Sequence, residues 1–129
     1  PAVQAASAAA WGDEAHVVDN RRQYREKFAQ VTPLLAEVLD VALPDASFYL
    51  WAGVPGSFAD TIAGLSADEA FARALLAQYN VTVLPGSYLA RDFNGSNPGT
   101  GRVRMALVAE PAECLEAAHR IRAFMANRT

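Results

Sequence analysis

The sequence predicts an α/β protein, in which a small sheet of about three strands packs with helices and is preceded by one long helix. Three observations lead there. Apolar residues recur every three or four positions from Tyr24 to Leu39; short aromatic or β-branched runs end in Pro-Gly or follow a Gly-rich loop; and two helix starts are marked by Ser66 with Glu69 and by Pro111. There is no internal repeat.

Residues Pro1 to Trp11 are mostly alanine and favour helix, and Gly12 with Asp13 supplies a stop and a new N-cap. A second helix then carries the stripe Tyr24, Phe28, Val31, Leu35 and Leu39, with a kink expected at Pro33. A helix this long with a single apolar stripe fits a connector between two bodies, so the division expected is residues 1–12, a connector over 13–42, and a sheet-containing unit over 43–129. Ser47 to Ala52 reads as a strand, followed by a Pro55-Gly56 loop. The Ser66–Glu69 capping box opens a helix through Phe71, Ala74, Leu75 and Gln78. Val81 to Leu84 and Arg102 to Val108 complete the strands. The last helix starts at Pro111, turns Cys114, Leu115, Ala118, Ile121 and Met125 inward, and carries Arg120, Arg122 and Arg128 toward its negative end.

With 129 residues, 52% hydrophobic and 19% charged, the chain is long enough for one core. Its first residue, Pro1, fits either a processed start or an excised segment. A formal charge of −3 excludes a nucleic-acid surface, and Arg21, Arg22, Arg25 and Lys27 read as a solvated helix face. No apolar run reaches the roughly 18 residues that a membrane span needs, so no membrane partner is expected. The lone cysteine, Cys114, reads as packing and fits a reducing, cytoplasmic setting.

Arg102 and Arg104 have the most chemical content, because residues two apart on a strand share a face and a guanidinium fork binds carboxylate through paired hydrogen bonds. On spacing alone, an edge-strand charge that blocks aggregation explains them as well. The loop from Tyr88 to Gly101 is where binding groups tend to be displayed, and Ser87, Tyr88 and Asn94 are secondary candidates for substrate contact. His16 and His119 stand alone, without a second ligand at metal spacing, so no metal site is expected. Hydrolase elbows, P-loops and dinucleotide-binding glycine runs are missing.

Asn80-Val-Thr-Val-Leu-Pro-Gly-Ser-Tyr-Leu-Ala-Arg91, followed by a Gly-rich loop and Gly101-Arg-Val-Arg-Met-Ala-Leu107, resembles the small domain of the class I and II aminotransferases. Phe48 to Trp51 resembles that domain's first strand, and Ala5 to Ser7, Trp11 to Val17, Asn20-Arg21 and Tyr24 to Phe28 resemble the stretch that leaves the large domain. The general likeness is greatest to the branch acting on N-succinyldiaminopimelate, in lysine and peptidoglycan-precursor synthesis. The resemblance implies the small C-terminal domain of a fold type I, pyridoxal 5'-phosphate-dependent transferase. It further implies an amino-acid or 2-oxo-acid substrate, a homodimeric parent, and Arg104 as the arginine that binds the substrate α-carboxylate. In such enzymes a Schiff-base lysine in the preceding large domain holds the cofactor. The single lysine here, Lys27, does not match it, so no catalytic or cofactor-binding residue is expected in this chain, which by itself should be inactive. Without the resemblance, a stand-alone module binding a small acid through Arg102 and Arg104, or a purely structural interaction domain, stays open.

Overall fold

Alanine has the highest intrinsic helix propensity, and Ala2–Gly12 forms helix α1 in the computed structural model, which describes residues 1–127. This helix buries none of its residues; Val3 and Trp11 are 81% and 85% exposed. After Gly12, the Asp13 carboxylate accepts the Ala15 N–H at 3.1 Å and lies 3.1 Å from His16 Nδ1. Asp13 thus bonds the first N–H of the next helix and pairs with His16, although the residue in the cap position itself is Glu14.

Helix α2 spans Ala15–Ala36 and runs through Pro33 unbroken. It stops short of the expected residue 42. The proline removes a donor one turn from the end, and beyond it the sheet claims the backbone: Asp40 and Gly53 exchange N–H···O bonds of 3.3 and 2.7 Å. A residue extended in a bridge cannot also continue a helix.

Strand β1 is Tyr49–Gly53, displaced from the expected 47–52 because Ser47 takes a positive φ of 100° before the chain straightens. Helix α3, Ala67–Tyr79, opens on the predicted capping box: the Glu69 carboxylate accepts the Ser66 N–H at 3.1 Å and the Ser66 hydroxyl at 2.8 Å. Asn80, in the left-handed region at φ 52°, ends it. Strand β2 is only Leu84–Pro85, against an expectation of 81–84, since Pro85 has no N–H for the ladder and pairing reaches just two residues. Strand β3 is Arg102–Ala106 rather than 102–108, and helix α4, Pro111–Ala126, begins at the predicted proline. The order β1-β3-β2 is antiparallel throughout, with Trp51 and Leu84 both opposite Arg104.

The sheet has one covered face. Leu50, Ala52, Val103 and Met105 are buried beneath the helices, which contribute Phe28, Val31 and Leu35 from α2, Phe71 and Leu75 from α3, and Cys114, Ala118 and Ile121 from α4. Leu115 and Met125, expected inside, are only half-buried. Phe124 takes the inner place, within 5.7 Å, ring centre to ring centre, of Phe58, Phe71 and Tyr79. Arg120 bonds Glu116 at 2.9 Å and Arg122 reaches Glu37, while Arg128 lies outside the described residues.

Lys27 corrects the reading of a solvated basic face. It is 7% exposed, its amine donates to the Leu107 carbonyl at 3.1 Å, and it stands 5.0 Å from the centre of the Tyr24 ring. The long methylene stem packs with the core while the charge is met by a carbonyl and an aromatic face. Its neighbour Arg22 does lie in solvent, bonded to Asp19 and Glu26.

Candidate functional site: the open sheet face and its loop

Strand alternation leaves the second face of the sheet uncovered, and it carries Tyr49 and Trp51 from β1 with Arg102 and Arg104 from β3. Arg104 is half-buried, and its guanidinium carbon lies 5.5 Å from the centre of the Tyr49 ring. The aromatic ring thus lies within cation–π range of the guanidinium, and no hydrogen bond of the Arg104 fork is recorded among the described residues. Among the described residues, none of the ion pairs includes Arg104. Arg102, in contrast, is 3.6 Å from the Asp40 carboxylate, an exposed pair of small energetic value. The two arginines share a face, as their spacing predicts, but differ in state: Arg102 has a carboxylate neighbour, and Arg104 has an aromatic ring and no ion-pair partner among the described residues.

The loop after β2 is anchored by a residue the sequence reading passed over. Asp68, at the start of α3, is completely buried, and its carboxylate accepts the Ser87 N–H at 2.9 Å and the Gly101 N–H at 3.0 Å. Burial acts to raise its pKa, but hydrogen bonds from Ser87, Gly101 and Ser66 outweigh burial and hold the carboxyl below its ordinary value. Above this clamp, Gly86 and Gly99 press backbone to backbone. A Cβ on Gly86 would collide with the Gly99 and Arg102 carbonyls and the Trp51 ring, and one on Gly99 would strike the Gly86 carbonyl. Asn97 adds a second tie, donating to the Ser87 carbonyl at 3.1 Å and accepting the Gly99 N–H at 2.9 Å.

The secondary candidates separate. Ser87 serves through its backbone; its enclosed hydroxyl has no well-aligned hydrogen-bond partner, although it lies close enough to help depress Asp68. Tyr88 is exposed and its phenol neighbours Glu69 on α3, which raises the phenol pKa. Asn94 sits at a tight turn in which it and Gly95 both have positive φ and Phe93 and Ser96 exchange bonds of 2.8 and 3.1 Å. The structure records no contact of Ser87, Tyr88 or Asn94 with Arg104. Asn-Gly was the available signal for the turn. Nothing in the sequence marked Asp68 apart from any acid in a first helical turn.

A groove of about 560 Å³ also opens between α4, residues 80–83 and the end of β3, with Val81, Met105, Cys114 and Ile121 among its walls. It is on the helix side and Arg104 does not line it. Among the described residues no cluster of His, Cys, Asp or Glu could hold a metal, and no helix is long and apolar enough to cross a membrane.

The architecture is that of a small α/β domain with one sheet face open and two arginines on it, of which Arg104 has no ion-pair partner among the described residues. The sequence profile of Aminotransferase class I and II matches residues 1–121, and the chain belongs to that family. It is similar to a solved aminotransferase from Neisseria meningitidis, at 53% identity and TM-score 0.83 over 95% of this chain and 29% of that one. It is also similar to the probable N-succinyldiaminopimelate aminotransferase of Thermus thermophilus, at 36% identity and TM-score 0.58 over 79% of this chain and 24% of that one. Transaminase BacF of Bacillus subtilis is 32% identical over 120 residues, 92% of this chain, and the LL-diaminopimelate aminotransferase of Syntrophobacter fumaroxidans 30% identical over 112, 86% of this chain. The chain spans 27% and 25% of the lengths of those two curated relatives.

Family membership implies pyridoxal phosphate in the full-length enzyme. The residues of this chain do not fit the role of anchoring it through an amine: Lys27 is the single lysine, and its Nζ is buried against the Leu107 carbonyl on the helix side.

Proposed function

We propose that this chain supplies the substrate-carboxylate arm of a pyridoxal-phosphate-dependent aminotransferase acting on N-succinyldiaminopimelate, in lysine and diaminopimelate synthesis. One observation carries the reading: Arg104 is half-buried, 5.5 Å from the centre of the Tyr49 ring, and without an ion-pair partner among the described residues, on the face the helices leave open. A guanidinium so held offers two parallel N–H donors to an α-carboxylate at little further ordering cost. The relatives described as diaminopimelate and N-succinyldiaminopimelate aminotransferases support the substrate class.

In this reading residues 1–12 end a large domain, 13–42 connect, and 43–129 form the small domain. Cofactor chemistry belongs to polypeptide outside this chain, whose own part is to grip and orient the amino acid; alone it does not transaminate. The parent is a cytoplasmic homodimer. The test is Arg104→Ala in the full-length polypeptide. We expect kcat/KM for amino-acid substrates to fall by roughly 10² or more, and unchanged efficiency would remove Arg104 from the role.

A further inference from the structure

We propose that Asp68 is a positioning residue for substrate selectivity: by holding both ends of the 87–101 loop it fixes the loop root against Trp51, and so sets which amino-acid side chains the Arg104 face admits. The inference rests on the reading of Arg104 as the carboxylate anchor and extends it to the part of the substrate that Arg104 does not touch.

The chain of contacts is short. Asp68 is completely buried, and its carboxylate accepts backbone N–H groups at the loop's two ends, Ser87 and Gly101. One carboxylate thus closes a loop whose ends come from the end of β2 and the start of β3. Closure holds Gly86 against Gly99 with no room for a Cβ, and a Cβ on Gly86 would also come within 2.7 Å of the edge of the Trp51 ring. Trp51 lies opposite Arg104 in the β1–β3 register. The position of the loop root is therefore transmitted through one aromatic ring to the carboxylate anchor. Beyond the root the loop presents the large exposed side chains Leu89 and Phe93, and Tyr88, whose phenol neighbours Glu69. An amino acid held at Arg104 by its carboxylate has its side chain to place against this neighbourhood, and a loop hinged at both ends by one buried group has a defined wall instead of a floating one.

Replacing one Asp68 oxygen by an amide nitrogen keeps the shape but turns an acceptor into a donor facing an N–H, so one loop end is released. The experiment compares Asp68→Asn with the parent in the full-length polypeptide, using alanine and N-succinyl-LL-diaminopimelate as short and long substrates, with hydrogen exchange at residues 86–101. We expect kcat/KM for the long substrate to fall about tenfold, chiefly through KM, alanine to change less than about twofold, and the Ser87 or Gly101 amide to exchange faster. Asn97→Ala, which cuts the tie within the loop and leaves the buried carboxylate intact, should shift the same ratio in the same direction by about threefold. An equal fall for both substrates, or an unchanged ratio in both variants, would overturn the proposal. Arg104→Ala is assayed in parallel. If it cripples both substrates while the ratio in Asp68→Asn stays fixed, only the positioning role fails; if it changes neither, the carboxylate-anchor reading fails with it.

Discussion

The Lys27 amine and the Leu107 carbonyl, 80 residues apart in sequence, meet at 3.1 Å inside the protein and fasten helix α2 to the chain leaving β3. Lys27→Met keeps the stem and deletes the charge, leaving that carbonyl without its donor. Urea denaturation should show a loss of about 1–3 kcal/mol. The amine should also resist acylation by an N-hydroxysuccinimide ester in the native protein and react once unfolded; rapid native labelling would contradict its burial.

Glycines at the loop root admit no substitute. Gly86→Ala and Gly99→Ala place a Cβ into backbone that cannot move aside, and each should destabilise by roughly 2 kcal/mol or more. Gly56→Ala meets nothing within 4 Å and serves as the control, with a midpoint close to that of the unmodified chain.

Asp68 gives the stability curve an acid-side signature. Its folded pKa lies below the ordinary aspartate value of 3.8, so its contribution is complete above that value and is lost as pH falls through the depressed one. Asp68→Asn does not titrate at this position. The stability gap between the two proteins, from urea titrations, should be level between about pH 5 and 7 and narrow below about pH 4.

Arg102 and Arg104 should behave unequally despite their spacing. In the full-length polypeptide, Arg104→Lys keeps the charge but loses the planar fork near the Tyr49 ring, and kcat/KM should still fall by roughly tenfold or more. Arg102→Ala removes a pairing with the highly exposed Asp40 and should change kcat/KM less than about threefold. Equal effects would show that the two act as one site.

Cys114 should be inert in the native state. Burial pushes its thiol above the ordinary value of 9.0, with the Lys27 charge acting in the opposite direction, so the reactive thiolate is scarce at neutral pH. Iodoacetamide at about pH 8 should modify it at least roughly 10² times more slowly than in urea, followed by mass spectrometry.

The sequence by itself determined where helices begin and which strand residues share a face, because capping chemistry, proline geometry and the two-residue repeat of a strand are local. Ser66 with Glu69, Pro111, and the common face of Arg102 and Arg104 follow from neighbours within a few positions. Only the tertiary structure decided where α2 stops, that Lys27 is enclosed, that Phe124 rather than Met125 fills the core, and that Asp68 turns from helix acid into loop clamp. Each of these depends on a partner many residues away: Gly53 for Asp40, Leu107 for Lys27, Phe58 and Phe71 for Phe124, Ser87 and Gly101 for Asp68. Local rules assign a residue its direction, but whether it meets solvent, an apolar ring or a backbone N–H is set by what the rest of the chain brings opposite it.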